Sequence, residues 1–294
     1  MIAPELFRRI RRIELRTRKL VNESFAGAYH SAFKGRGMEF DTIRPYEPGD
    51  DVRLIDWNVT ARNDSAFVRQ YIEERELTLM LLLDTSASCL FGSTSKSKRD
   101  LAAEVAAVLA YSAINNNDKV GLLLFSDHTE LYVPPRKGRN HILRLIRDLL
   151  TAQPAHRGTD IAAALRMASR SLKRRSIIFL LSDMLVPIDT YVTELSLLAY
   201  HHDVIVLVFN DPLEKNLPDV GLVRMEDAET GEIMWLDTHM SNWQQKFSAQ
   251  TQQLQDRVRI ATSQAHVDVL QIGVNDDYVA QLVTLFQRRA GSRH

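Results

Sequence analysis

From Leu77 onward, short apolar runs alternate with longer stretches in which apolar residues recur every three or four positions. That alternation predicts βαβ units and a mostly parallel sheet. The runs LTLMLLL (77–83), KVGLLLF (119–125), RSIIFLL (175–181), VIVLVF (204–209) and VDVLQI (267–272) read as strands. Their near-continuous apolar character suits strands covered by helices on both faces. Helical spacing predicts helices over 98–115, 139–151, 160–172, 188–201, 239–264 and 276–288. TELYVPP (129–135) reads as a short strand that its two prolines confine to a sheet edge. Residues 221–237 read as a hairpin whose tip, Glu229-Thr230-Gly231, supplies the glycine of a tight turn.

Before residue 77 the pattern differs. Leu6, Ile10, Ile13 and Leu20, with Thr17 between them, fall on one helical face, while Arg8, Arg9, Arg11, Arg12, Arg16, Arg18 and Lys19 crowd the rest. The simpler reading is a surface helix docked on its own domain. The alternative is a basic arm, residues 5–20, that meets acidic protein, RNA or the membrane surface. The stretch FKGRGMEFDTIRPYEPGDDVRLIDWNVTARNDSAFVRQY, beginning at Phe33, is rich in glycine, proline and paired charges. The chain is therefore expected to divide into a lead-in, 1–76, and an α/β domain, 77–294.

Charge and cysteine content narrow the function classes. Lys plus Arg and Asp plus Glu both total 37, so the zero net charge gives no global argument for nucleic acid or an anionic membrane. It also weighs against the basic-arm reading. With 45% hydrophobic residues a sizeable core is expected. The single Cys89 excludes an intrachain disulfide framework and a cysteine-based zinc site, and it suits a reducing, cytoplasmic compartment. No apolar run approaches the roughly 18 residues that span a bilayer, and the N-terminal stretch lacks the apolar core of a signal peptide.

The candidate chemistry starts at LLLDTSAS. Asp84 is expected at the carboxyl end of the first strand, where open parallel sheets place ligand sites. Taken alone, the Asp84-Thr85-Ser86-Ala87-Ser88 stretch reads as a helix-capping cluster. Arg157-Gly158-Thr159-Asp160 and Ser182-Asp183 alter that balance, because parallel strands would put them at the same end of the sheet. Asp84, Ser86, Ser88, Thr159 and Asp183 then offer five oxygen-bearing side chains without histidine or cysteine, a donor set suited to Mg²⁺ or Mn²⁺. Lys96, Lys98 and Arg99 follow the loop and are expected to rim it. The usual motifs of hydrolases, nucleotide triphosphatases and zinc proteases are missing. An aspartyl-phosphate enzyme using Asp84, a Mg²⁺-dependent phosphatase or phosphotransferase, is one alternative, although Ser86 stands where a second carboxylate would be wanted and no placed lysine is evident; a metal-free structural scaffold is the other.

Asp-x-Ser-x-Ser, then Thr159, then Asp183 on this strand rhythm resembles the metal-ion-dependent adhesion site of von Willebrand factor type A domains, over about residues 77–290. The resemblance implies a doubly wound α/β fold of strand order 3-2-1-4-5-6. It implies Ser86, Ser88 and Thr159 as direct metal ligands, Asp84 and Asp183 as water-mediated ligands or braces, and a partner's carboxylate completing the shell. Met184 follows Asp183 where many relatives have glycine. Gly35-Arg36-Gly37-Met38-Glu39-Phe40 and RPYEPGDDVRLIDWNVTAR (44–62) resemble the bacterial domain-of-unknown-function family fifty-eight, von Willebrand-like proteins associated with MoxR-type AAA+ ATPases. The implied function is binding rather than turnover, as an adaptor or co-chaperone in protein maturation. Within 44–62, Asp50, Asp51 and Asp56 are expected to neutralise Arg44, Arg53 and Arg62, with Trp57 packed beneath.

Overall fold

The computed structural model describes residues 4–21, 25–33, 39–63, 65–72, 76–94, 96–215, 218–239 and 243–292. In chain order the elements are α1 (Pro4–Leu20), α2 (Ala26–Phe33), β1 (Glu39–Pro45), α3 (Trp57–Thr60), β2 (Phe67–Ile72), β3 (Thr78–Asp84), α4 (Lys98–Asn115), β4 (Lys119–Phe125), β5 (Thr129–Arg136), α5 (Arg139–Thr151), α6 (Ile161–Ser171), β6 (Ile177–Ser182), α7 (Val192–His201), β7 (Asp203–Asn210), α8 (Pro212–Lys215), β8 (Leu222–Glu226), β9 (Ile233–Asp237), α9 (Trp243–Gln264), β10 (Asp268–Gly273) and α10 (Tyr278–Ser292). They form two compact units, Phe33–Leu77 and Met1–Ala32 with Thr78–His294.

The larger unit is built on a six-stranded sheet of order β10-β7-β6-β3-β4-β5. Counted along the chain these strands run 6-5-4-1-2-3, which is the expected doubly wound order. Every pairing is parallel except β4 with β5. β5 carries Pro134 and Pro135 and lies at the edge, and its register with β4 shifts between Val120 and Leu122, where the two prolines lack backbone donors. The chain reverses its direction of travel across the sheet at β3, between β4 and β6. Leu79 to Leu83 and all of β6 are buried, as continuous apolar strands with helices on both faces should be.

Helix α4 starts with a reciprocal capping box between Ser97 and Asp100. Its side chains are mostly small: Ala102, Ala103, Ala106, Ala107 and Ala110 are buried with Leu101, Val105 and Leu109, so nearly the whole circumference is enclosed. Helix α1 packs in the same unit. Ile13 and Thr17 are buried, Glu14 accepts from Arg139 at 2.5 Å, and the exposed Arg16 pairs with Glu104 at 3.5 Å. Phe25 and Tyr29 extend the contact, meeting the ring of Phe286 edge-on at 5.3 and 6.0 Å.

The expected division at 76/77 is thus corrected. The apolar face of α1 and the aromatics of α2 close on the α/β core, and only 33–77 stands as a separate unit. There β1 and β2 pair antiparallel, and Arg44 donates to both oxygens of Asp50 at 2.6 and 2.7 Å. Asp51 and Asp56 act as helix caps, accepting from Arg53 N and from Asn58 N and Val59 N. Trp57 is 67% exposed rather than packed beneath the loop, because it opens α3 on the solvent side. Gly35, Arg36, Gly37 and Met38 of the resemblance lie outside the described residues. Among the described residues no helix is long and apolar enough to cross a membrane.

Candidate functional site

Strand β3 delivers Asp84 to the carboxyl end of the sheet at the strand-order reversal, and β6 delivers Ser182 and Asp183 beside it. Asp84 is enclosed. Its Oδ1 accepts from Ser86 N at 2.9 Å and its Oδ2 from Ser182 Oγ at 2.7 Å, so this carboxylate braces two loops at once. The chain then turns into a short helical segment, Ala87–Leu90. That turn brings Ser86 Oγ and Ser88 Oγ to 3.1 Å, with Ser86 fully buried and Ser88 almost so. Thr85 faces away, giving both its amide and its hydroxyl to Phe125 O.

Asp183 reaches the cluster from the other side. A carboxylate oxygen of Asp84, one of Asp183 and the Cys89 sulfur all lie within 4.8 Å of one another. Met184, next in the chain, has φ of 55°. That is the left-handed conformation that glycine adopts without strain and that costs other residues about 1 kcal/mol. The methionine is held there because its side chain is buried in the core and its amide donates to Ser182 Oγ at 3.1 Å.

Thr159 belongs to the neighbouring loop. Ala87 N donates to Arg157 O at 3.0 Å, tying the two loops together, and Asp160 caps α6 by accepting from Ala163 N. Thr159 Oγ1 donates to Glu229 Oε1, at the tip of the β8–β9 hairpin, at 2.6 Å. Of the five expected site residues, then, Asp84, Ser86, Ser88 and Asp183 form one buried cluster. Thr159 sits on the adjoining loop with a carboxylate of its own.

Further charged residues join the cluster. Lys98 is 1% exposed, so its expected place on the rim is corrected to one inside the site. Its Nζ donates to Asp183 Oδ2 at 2.7 Å and also to Glu214 of α8. Burial pulls the lysine pKa down, but Asp183 and Glu214 outweigh it and the ammonium is held above its ordinary value. A placed lysine is therefore present after all, bound to Asp183. Lys96 is likewise engaged, donating to Glu104 at 2.9 Å. Lys98 could have been found from its spacing: Leu101, Ala102 and Val105 follow it on one buried helical face.

The electrostatics describe an excess of negative charge. Burial, and then Asp183, push the Asp84 carboxyl up from 3.8 to about 6. Burial with both carboxylates pushes the Cys89 thiol well up, which keeps it protonated and inert. One ammonium pairs with two carboxylates, Asp183 and Glu214, and the Asp84 carboxyl lies beside Asp183 without an ammonium of its own. The hydroxyl pair fits a small divalent cation as well. Bonds of about 2.0–2.1 Å in an octahedron put adjacent ligands about 3 Å apart, and Ser86 Oγ and Ser88 Oγ are 3.1 Å apart.

Fold and geometry together define an α/β protein whose oxygen-bearing side chains gather at the carboxyl end of the sheet, at its strand-order reversal. The chain belongs to the family described as protein of unknown function DUF58, whose model matches residues 42–257. It is 36% identical over 232 residues to the uncharacterized protein Rv1480 of Mycobacterium tuberculosis, covering 78% of this chain and 73% of that one. It is 25% identical over 111 residues to the uncharacterized protein YeaD of Bacillus subtilis, covering 38% and 26%. Among solved structures it is similar to an aerotolerance-related membrane protein from Bacteroides fragilis, with TM-score 0.48, 19% identity and coverage of 74% and 99%. It is also similar to the SpRpn10 VWA domain, with TM-score 0.41, 14% identity and coverage of 72% and 95%.

Proposed function

We propose that the protein is a metal-dependent protein-interaction module that binds an acidic residue of a partner. The observation that carries this is the buried hydroxyl pair, Ser86 and Ser88 at 3.1 Å, set beside two carboxylates that share too little positive charge. Ser86, Ser88 and Thr159 would hold Mg²⁺ or Mn²⁺, while Asp84 and Asp183 would act through water or by orienting the hydroxyls. Bound there, the ion would supply an electrophilic position for a partner's Asp or Glu. Asp84 sets the 84–88 loop through Ser86 N and joins it to β6 through Ser182, so the serines are preorganised before any ligand arrives. The buried Cys89 supports a reducing, cytoplasmic setting.

Resemblance within the family supports a MoxR-type AAA+ ATPase as the partner, with this chain as adaptor or co-chaperone. Pull-down of that ATPase with and without EDTA, and with Ser86→Ala plus Ser88→Ala, tests the proposal. Capture should be lost with the chelator and with the double variant; capture indifferent to both contradicts it. The phosphotransfer alternative gains a lysine, Lys98, but Asp84 is sealed, with both oxygens already accepting hydrogen bonds, which speaks against its serving as a nucleophile. A magnesium-dependent phosphatase activity abolished by Asp84→Asn would revive that alternative.

A further inference from the structure

The β8–β9 hairpin brings a carboxylate to the one hydroxyl of the set that lies apart from the others. Thr159 Oγ1 donates to Glu229 Oε1 at 2.6 Å, a short contact of the charge-assisted kind, between residues 70 positions apart. The hairpin tip is built to aim that residue. Asp227 Oδ1 accepts from both Glu229 N at 3.0 Å and Thr230 N at 2.8 Å, and Gly231, at φ 74°, turns the chain back toward β9. Asp227, Ala228 and Thr230 are exposed at the tip, whereas Glu229 is half-buried. Gly231 passes beside the Arg157 guanidinium, and Arg157 O accepts from Ala87 N. Hairpin tip, 157–159 loop and 84–88 loop are therefore continuous.

We infer that Glu229 is the site's own carboxylate ligand, a tethered occupant of the position that an acidic partner residue would take. This rests on the metal-dependent reading above. The chemistry is the same on both sides of the competition: a monovalent carboxylate at the threonine hydroxyl of the set, where a hard cation would accept one more oxygen. The hairpin is also poorly anchored. Leu222, Ile233 and Trp235 stand exposed on its outer face, so little apolar burial opposes its release. A tethered acid acts at an effective concentration of roughly millimolar order. A partner must therefore displace it with additional contacts, and an isolated acidic residue would not suffice.

The test uses the full chain as wild type, Glu229→Ala and the double variant Ser86→Ala plus Ser88→Ala, with Mn²⁺ alone as the metal and acetate as the carboxylate probe. Water-proton relaxation reports how many water molecules exchange on the bound Mn²⁺. Wild type should bind Mn²⁺ and ignore acetate supplied well below the roughly millimolar effective concentration of the tethered acid. Glu229→Ala should bind Mn²⁺ with one more exchanging water, and acetate should remove that water. Equal hydration of wild type and Glu229→Ala, with Mn²⁺ lost only in the serine variant, overturns the inference and leaves the metal site standing. Failure of wild type and Glu229→Ala alike to bind Mn²⁺ overturns both.

Discussion

In the 33–77 unit, Arg44, Asp50, Asp51 and Asp56 lie in turns and caps where Asp50 and Asp51 keep contact with water. At the carboxyl end of the sheet, Asp84, Asp183 and Lys98 are enclosed, with Glu214 closing the group from α8. The residue types are nearly the same, but the consequences differ. Solvated acids act locally, each satisfying the backbone donors within a few positions, and the bidentate Arg44–Asp50 pair depends little on anything else. Enclosed acids must be compensated by other enclosed groups, and Lys98 compensates only part of the charge. The enclosed group therefore remains short of positive charge after folding. The exposed acids of the 33–77 unit instead meet their donors locally.

Four substitutions sharpen this comparison. The largest effect is expected from Lys98→Met, which leaves Asp183 and Glu214 facing each other without the ammonium. Chemical denaturation in EDTA should show a loss of about 3–5 kcal/mol, and Mg²⁺ should restore part of it. Asp84→Asn comes next and acts through pH. The Asp84 carboxyl is raised from 3.8 to about 6, so folding takes up a proton between those values. Its contribution to stability is full below 3.8 and is lost as the pH rises through about 6. In EDTA the variant should therefore gain on wild type by about 2 kcal/mol between pH 4 and pH 7. A difference that does not change with pH would show that Asp84 is not under that strain.

Asp56→Ala removes the cap of α3 and should cost about 1 kcal/mol at any pH above the carboxylate range. Asp50→Ala should produce the smallest change. Its carboxyl is held below the ordinary value by the Arg44 hydrogen bonds, so any effect should shrink as the pH falls below 3.8 and as salt is added. If Asp50→Ala destabilised the protein as much as Lys98→Met, the contrast between the two regions would collapse.

Much of the fold is legible in the sequence because buried parallel strands are written as continuous apolar runs. The expected 119–125 strand and the helices over 98–115 and 139–151 agree with the observed bounds of β4, α4 and α5. Asp84, Ser86, Ser88 and Asp183 come together for the same reason: once strand order is set, strand ends share one edge. Helix α1 shows its apolar stripe in the sequence, but the stripe does not name the surface it covers, so its membership in the larger unit emerges only from packing. Lys98 looked exposed because charge outweighs spacing in a first reading, although its neighbours on the helix face are all apolar. Glu214 and Glu229 reach the site from a short helix and a hairpin tip, distant in sequence and without periodicity, and no local pattern records such contacts. Trp57 was misplaced because an aromatic among charges suggests burial, whereas here the capped turn of α3 leaves it outside.

Calorimetric titration of Mg²⁺ into the wild-type protein and into the Ser86→Ala plus Ser88→Ala variant tests the central claim most directly. A metal-holding hydroxyl pair requires saturable binding at one site in the wild type and none in the double variant, with both proteins folded. Absence of binding in the wild type, or equal binding in both, would contradict it.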